Sequence, residues 1–163
     1  MSPLWSYFWP IVLLGLLLGG IPGVIWLPRM RVVPLAAAAA VALAGTVLWH
    51  GPLGAADRFA AKVEPRARAV LVDWEMVQVQ ARLHRSPLSR RLILSGPADD
   101  FQRDQLVKIM SQVPGVSRAS WSPSGGLPLI AEALFAAIAG FLAGLLLAYG
   151  IELRRRYNAQ WKW

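Results

Sequence analysis

The sequence predicts an α+β membrane protein, with three transmembrane helices and a small α-β-β-α-β module inserted between the second and the third. Three observations carry the prediction. Hydrophobic residues make up 56% of the 163 residues and charged residues only 16%, against about 25% charge in an ordinary soluble domain. Three long apolar stretches lie at about 9–27, 32–49 and 127–149, and the only charge in them is Glu132. The segment between the second and third stretches changes character, with alternating apolar and polar residues, turn signals and most of the charge.

The first stretch has roughly 19 residues, which at about 1.5 Å per residue nearly cross a hydrocarbon core of about 30 Å. The second is weaker because it is rich in alanine, from Ala36 to Ala40 and again at Ala42 and Ala44. The third is expected to lead into a basic tail. A chain of this length is too short to cover three such helices as the core of a globular protein. Residues 1–50 are thus read as two spans with a short loop, 51–126 as module and linker, and 127–163 as the third span and tail. A signal-like pattern ends at Ala42-Leu43-Ala44 but sits behind another span, so the whole chain is expected to be retained.

Orientation is read from the basic residues. Arg29 and Arg31 occupy the loop between spans one and two, and Arg154, Arg155, Arg156 and Lys162 follow span three. These anchors place loop and tail in the cytoplasm, and the N-terminus and middle module outside. In a bacterium this is an inner-membrane protein with a periplasmic module. Trp5, Trp9, Trp26, Trp49, Trp121 and Tyr149 fall at span ends, where indole and phenol rings favour headgroup depth.

Small residues recur on the spans. Ala136, Gly140, Gly144 and Ala148 are spaced by four in span three, with Ala133 and Ala137 beside them, and Gly15 and Gly19 repeat the spacing in span one. Such faces let backbones approach where lipid supplies no hydrophobic drive; the partner is another span or another subunit. Glu132, a membrane-embedded acid, needs pairing, protonation or hydration. It is expected to reach the outer headgroup region, towards His50, or to meet a partner.

Within the module, Ala55–Lys62 reads as a helix, and Pro65 suits the first turn of a further helix to about Asp73. Val77 to Leu83 alternates as a half-buried strand does, although Val70, Trp74, Val77 and Ala81 are also helix-spaced. Ser86 to Ser89 forms a turn, and Arg91 to Ser95 a second strand. Asp99 and Gln102 make a capping box. Leu106, Ile109, Met110 and Val113 give a helical stripe ended by Pro114-Gly115, and Val116 to Trp121 a last strand. Ser122 to Gly126 reads as a flexible joint.

The stretch Leu92-Ile93-Leu94-Ser95-Gly96-Pro97, followed by Phe101-Gln102-Arg103 and Val113-Pro114-Gly115-Val116, resembles the BON domain, a module named for bacterial osmotically induced and nodulation-related proteins. The resemblance covers about residues 55–121. Ser86-Pro87-Leu88-Ser89 stands where the family has an Asn-Gly or Asp-Gly hairpin. The resemblance implies an extracytoplasmic, non-catalytic module that contacts phospholipid or envelope proteins.

Other chemistry finds little footing. The chain has no cysteine and two histidines, and metalloprotease and nucleophile-elbow patterns are absent. No cofactor, metal or catalytic residue is expected. Asp99 and Asp100 are explained as cap and first-turn charges. Nucleic acid is not expected, because the cytoplasmic arginines already serve as anchors. Arg82, Arg85, Arg90 and Arg91 cluster at the turn, where they either face solvent or engage anionic phospholipid at about 1 kcal/mol each. The expected partners are anionic phospholipid and, as the alternative, a membrane protein complex in which the chain is an accessory subunit, or a second copy of the chain.

Overall fold

The computed structural model describes residues 2–29, 31–123 and 126–160. Lys162 and part of the 122–126 joint lie outside them. The elements are α1 (Pro3–Trp26), a short 3-10 turn (Leu27–Arg29), α2 (Val32–His50), α3 (Ala55–Asp73), β1 (Gln80–Arg85), β2 (Leu88–Ser95), α4 (Asp100–Met110), β3 (Arg118–Ser120) and α5 (Leu129–Gln160). The fold is mixed α and β, with three helices long and apolar enough to cross a membrane and a three-stranded sheet between the second and third. The chain divides into two compact units, Met1–Tyr7 with Gly54–Glu132, and Phe8–Leu53 with Ala133–Trp163.

The second unit is helical and inverted relative to a soluble core. On α1, the residues facing inward are Ile11, Gly15 and Gly19, while Leu13, Leu17, Ile21 and Ile25 are exposed. On α2, Ala38, Ala42 and Thr46 are buried, and Val41, Val47 and Leu48 are exposed. The Thr46 hydroxyl donates to the Ala42 carbonyl at 2.8 Å, so the one buried polar side chain of α2 is satisfied within its helix. Apart from Ile11, small residues lie inside and large apolar ones outside, the arrangement that hydrocarbon favours because packing rather than burial drives association there.

The glycines set the closest approach. A Cβ at Gly15 would overlap the Ala137 carbonyl oxygen, and one at Gly19 would overlap that of Phe141. From the other side, a Cβ at Gly140 would lie 2.5 Å from the Val12 oxygen, and one at Gly144 would overlap the Leu16 oxygen. The Gly-x-x-x-Gly pairs of α1 and α5 therefore face each other within one chain. Ala148 lies on the same seam, near Gly23. Ala136 stands partly exposed at its flank, and Ala133 and Ala137 are buried in its place. Spacing by four drifts around a helix of 3.6 residues per turn, so a long seam must take a three-residue step. Here that step falls between Ala137 and Gly140.

Several boundaries differ from expectation; β2 starts at Leu88 rather than Arg91, α4 ends at Met110 and β3 is only Arg118–Ser120. α1 begins at Pro3, six residues before the expected start, with proline in a first-turn position where its missing N–H is harmless. α3 is one helix rather than two, with Pro65 inside it. α5 continues as helix through Arg154, Arg155 and Arg156 to Gln160, and Arg156 pairs with Glu152 one turn back at 2.8 Å.

In the first unit, β1 pairs antiparallel with β2, and β2 pairs parallel with β3 across α4. Leu83, Leu92, Leu94 and Ala119 are buried on one face of the sheet, and Phe59, Val63, Ala67 and Leu71 of α3 with Leu106 and Met110 of α4 supply the rest of the core. Tyr7 meets the Phe59 ring edge-on, with centroids 5.7 Å apart. The Asp99–Gln102 capping box is present, with the Gln102 amide donating to Asp99 at 2.7 Å and the Asp99 amide to the Gln102 side chain at 3.1 Å. β1 starts at Gln80, three residues later than the alternation suggests, because α3 ends in a longer closure. The Glu75 amide bonds Val72 O, and the Met76 amide bonds Leu71 O. Glu75 holds φ at +58° in the position where glycine is usual, at a cost of about 1 kcal/mol for a residue with a Cβ.

Replacing both Gly140 and Gly144 with leucine should lower the stability of the helical unit by about 3 kcal/mol or more, since backbone rather than flexible side chain stands in the way. Leu142→Ile with Leu146→Ile, on exposed positions, should be nearly silent. The midpoint of denaturation in mixed detergent micelles reads the difference, and equal midpoints would contradict the seam.

Candidate functional site

The four arginines expected to act together at the β1–β2 turn are divided by the sheet. Side chains alternate between the two faces of a strand, and the β1–β2 register is interrupted between Leu83 and Arg85. Arg85 turns to α3, where its guanidinium donates to both Glu64 oxygens at 3.2 and 3.0 Å. The same carboxylate accepts from the Leu83 amide at 3.2 Å, so Glu64 occupies part of the otherwise open edge of β1.

Arg90 faces the first turn of α5. Its Nη1 donates to Glu132 Oε2 at 3.0 Å and its Nε to the Gly115 carbonyl at 3.2 Å. Both side chains of the ion pair are about three-quarters covered. Glu132 therefore has a partner inside the module unit, Arg90, and is not an isolated carboxylate. Arg90 closes a ring of contacts from β2 to the α4–β3 loop and the start of α5. Arg85 and Arg90 are each held by a carboxylate within the module unit.

Arg82 and Arg91 behave differently. Register places Arg82 beside Ile93, Arg91 beside Arg118, and Ile93 beside Ser120. These residues share the face opposite to the buried leucines. Arg82 and Arg118 are exposed and Arg91 is partly covered, with its Nε donating to Ser120 Oγ at 2.9 Å. The three strands contain no acidic residue. The parallel register thus sets Arg91 and Arg118 side by side on this face. Sequence pattern gives no sign of Arg118, because the apolar positions of its strand are out of phase and only the parallel pairing reveals its neighbour.

The other expected positions are placed as follows. Arg29 donates to the Ile25 carbonyl at 3.0 Å near the end of α1, and Arg31 is the exposed residue before α2. Trp121, expected at a span end, packs on α4 instead: its indole donates to Arg103 O at 3.2 Å, and the Arg103 guanidinium lies 5.3 Å from the ring centroid. Among the described residues no group of three metal-ligating side chains converges.

The Arg90–Glu132 pair lies between exposed pairs, worth up to about 1 kcal/mol, and fully buried ones, whose disruption costs about 3–5 kcal/mol. A double-mutant cycle with Arg90→Gln and Glu132→Gln should give a coupling of about 1–2 kcal/mol, and the same cycle on Arg85 and Glu64 a smaller one, because Arg85 is the more exposed. Zero coupling at Arg90–Glu132 would remove its structural role.

No protein-family model, curated protein or solved structure matches the chain.

Proposed function

We propose that this chain is a non-enzymatic bacterial inner-membrane protein whose periplasmic, BON-like module contacts anionic phospholipid headgroups through the open face of its sheet. The observation that carries the reading is that Arg82, Arg91 and Arg118 share one face of three strands that hold no acidic side chain. Each guanidinium near an anionic surface contributes about 1 kcal/mol, screened over a Debye length of about 8 Å at physiological salt. The geometry offers ionic and hydrogen-bonding contacts, which suit adhesion. The motifs from Leu92 to Val116 support the family likeness, and the basic residues at 29, 31 and 154–156 support the orientation.

The chain in nanodiscs of neutral lipid should be captured by anionic vesicles at low salt, released as salt rises, and ignored by neutral vesicles. Arg82→Gln with Arg118→Gln should remove most of the capture and leave the circular dichroism spectrum unchanged, whereas Arg85→Gln should change capture little. Equal capture by both kinds of vesicle at low salt would sink the lipid reading.

Orientation has its own test, simplified by the absence of native cysteine. Gln80→Cys should react with a membrane-impermeant maleimide in intact cells, and Pro28→Cys should not. Reversed labelling would put the module in the cytoplasm.

A further inference from the structure

A recess of about 500 Å³ lies between α3 and the open edge of β1, within the module unit. Its walls include Ala61, Glu64, Pro65 and Arg68 of α3, and Ala81 and Arg82 of β1. The α3 residues follow the i, i+3, i+4, i+7 spacing that keeps one helix face together. Arg68 and Arg82 are exposed, and neither has an ion-pair partner among the described residues. The one carboxylate on these walls, Glu64, is already engaged: both its oxygens accept from Arg85, and one also accepts from the Leu83 amide. The recess is therefore bordered by two guanidinium charges that no carboxylate of the module opposes. A single carboxylate ligand is matched by one guanidinium fork, whereas phosphate has oxygens for two.

The backbone adds further groups. The Leu83 amide points away from β2, since it donates to Glu64 at 3.2 Å. Strand alternation turns the Ala81 amide and carbonyl to the same open edge. On α3, Pro65 has no N–H, so the Ala61 carbonyl one turn back lacks its usual helical donor. Two backbone acceptors and one amide donor thus stand on the same walls as the two arginines. Bare phosphate would leave the acceptors unmet, and hydroxyl groups beside the phosphate would satisfy them.

We infer that this recess binds a hydroxylated phosphate ester. Its phosphate oxygens accept from Arg68, Arg82 and the Ala81 amide, and its hydroxyls donate to the Ala61 and Ala81 carbonyls. A phosphoglycerol lipid headgroup and a soluble glycerol phosphate share this chemistry. The inference goes beyond the attraction of the open sheet face to a charged surface and stands without it, because Ala61, Pro65 and Arg68 belong to α3.

The test titrates the full chain in neutral-lipid nanodiscs with glycerol phosphate by calorimetry. Inorganic phosphate, glycerol and acetate at equal ionic strength are the comparisons, and empty nanodiscs give the background. Glycerol phosphate should bind most tightly, inorganic phosphate more weakly, and glycerol and acetate at background. Arg68→Gln should weaken glycerol phosphate binding about tenfold, as loss of a charged hydrogen-bonding partner does. Arg66→Gln, an exposed neighbour outside the recess, should leave it unchanged, and both variants should keep the circular dichroism spectrum. Pro65→Ala returns an amide donor to the Ala61 carbonyl. It should raise Tm and weaken binding of glycerol phosphate but not of inorganic phosphate, a split that a purely structural role would not produce. Absence of binding, equal binding of acetate, or equal losses in the Arg66 and Arg68 variants would overturn the proposal. So would a Pro65→Ala variant that binds glycerol phosphate as the wild type does. Displacement of bound glycerol phosphate by vesicles with phosphoglycerol headgroups would support the site and name lipid as its source; binding without displacement would support it and name the soluble ester. No vesicle enters the titration itself, so this proposal can fail while capture by anionic vesicles succeeds, and the reverse.

Discussion

Backbone contact between α1 and α5 is the constraint on which the helical unit depends. In water, apolar helices associate because burial removes surface from solvent; in hydrocarbon that term vanishes between helix and lipid. What remains is dispersion, which falls off steeply with distance, so helices gain most where nothing stands between their backbones. Glycines at 15, 19, 140 and 144 provide that approach, each close to a backbone atom of the opposite helix. α2 follows the same logic more loosely, with Ala38, Ala42 and Thr46 inward and Gly45 near a leucine side chain rather than a backbone. Its contact leaves a side chain's room for adjustment, which the glycine seam does not.

The module is held by the opposite chemistry. Its sheet buries leucine against two helices, and charged pairs tie the periphery: Glu64 to the edge of β1, and Glu132 to Arg90. In both cases one carboxylate serves an arginine of the sheet, which removes two of the module's basic groups from the surface field. The three strands hold no acidic residue, so the sheet face opposite the buried leucines carries arginine and no strand carboxylate.

Much of this was legible in the sequence because it depends on local pattern. The three apolar helices follow from run length and lack of charge, and the capping box from two residues three apart. The facing of Gly15 and Gly19 towards Gly140 and Gly144 was not legible, because a small-residue face does not say which helix it meets. The separation of the arginines was not legible for a related reason. Arg82, Arg85, Arg90 and Arg91 are neighbours in sequence, but strand alternation and the irregularity after Leu83 send them to different faces. Arg118 joins Arg91 only through a parallel pairing 27 residues away, and no periodicity within its three-residue strand announces it. Trp121 sat near a span by sequence, yet the turn after β3 brings it to Arg103.

The end of α3 shows how a small backbone choice shifts everything after it. Helical spacing from Val70 through Ala81 competes with strand alternation from Val77 to Leu83, and pattern alone does not decide between them. The decision falls at Trp74 and Glu75, where the chain takes a left-handed residue and closes two hydrogen bonds back to Leu71 and Val72. No glycine marks the site, so sequence rules for helix termination overlook it. Once the helix is closed, Val79 is buried and the strand begins at Gln80, which puts Leu83 rather than His84 into the core. A one-residue change in that closure would exchange the two faces of β1, carrying Arg82 inward and Leu83 outward. The open basic face therefore depends on a turn whose own sequence gives little sign of it.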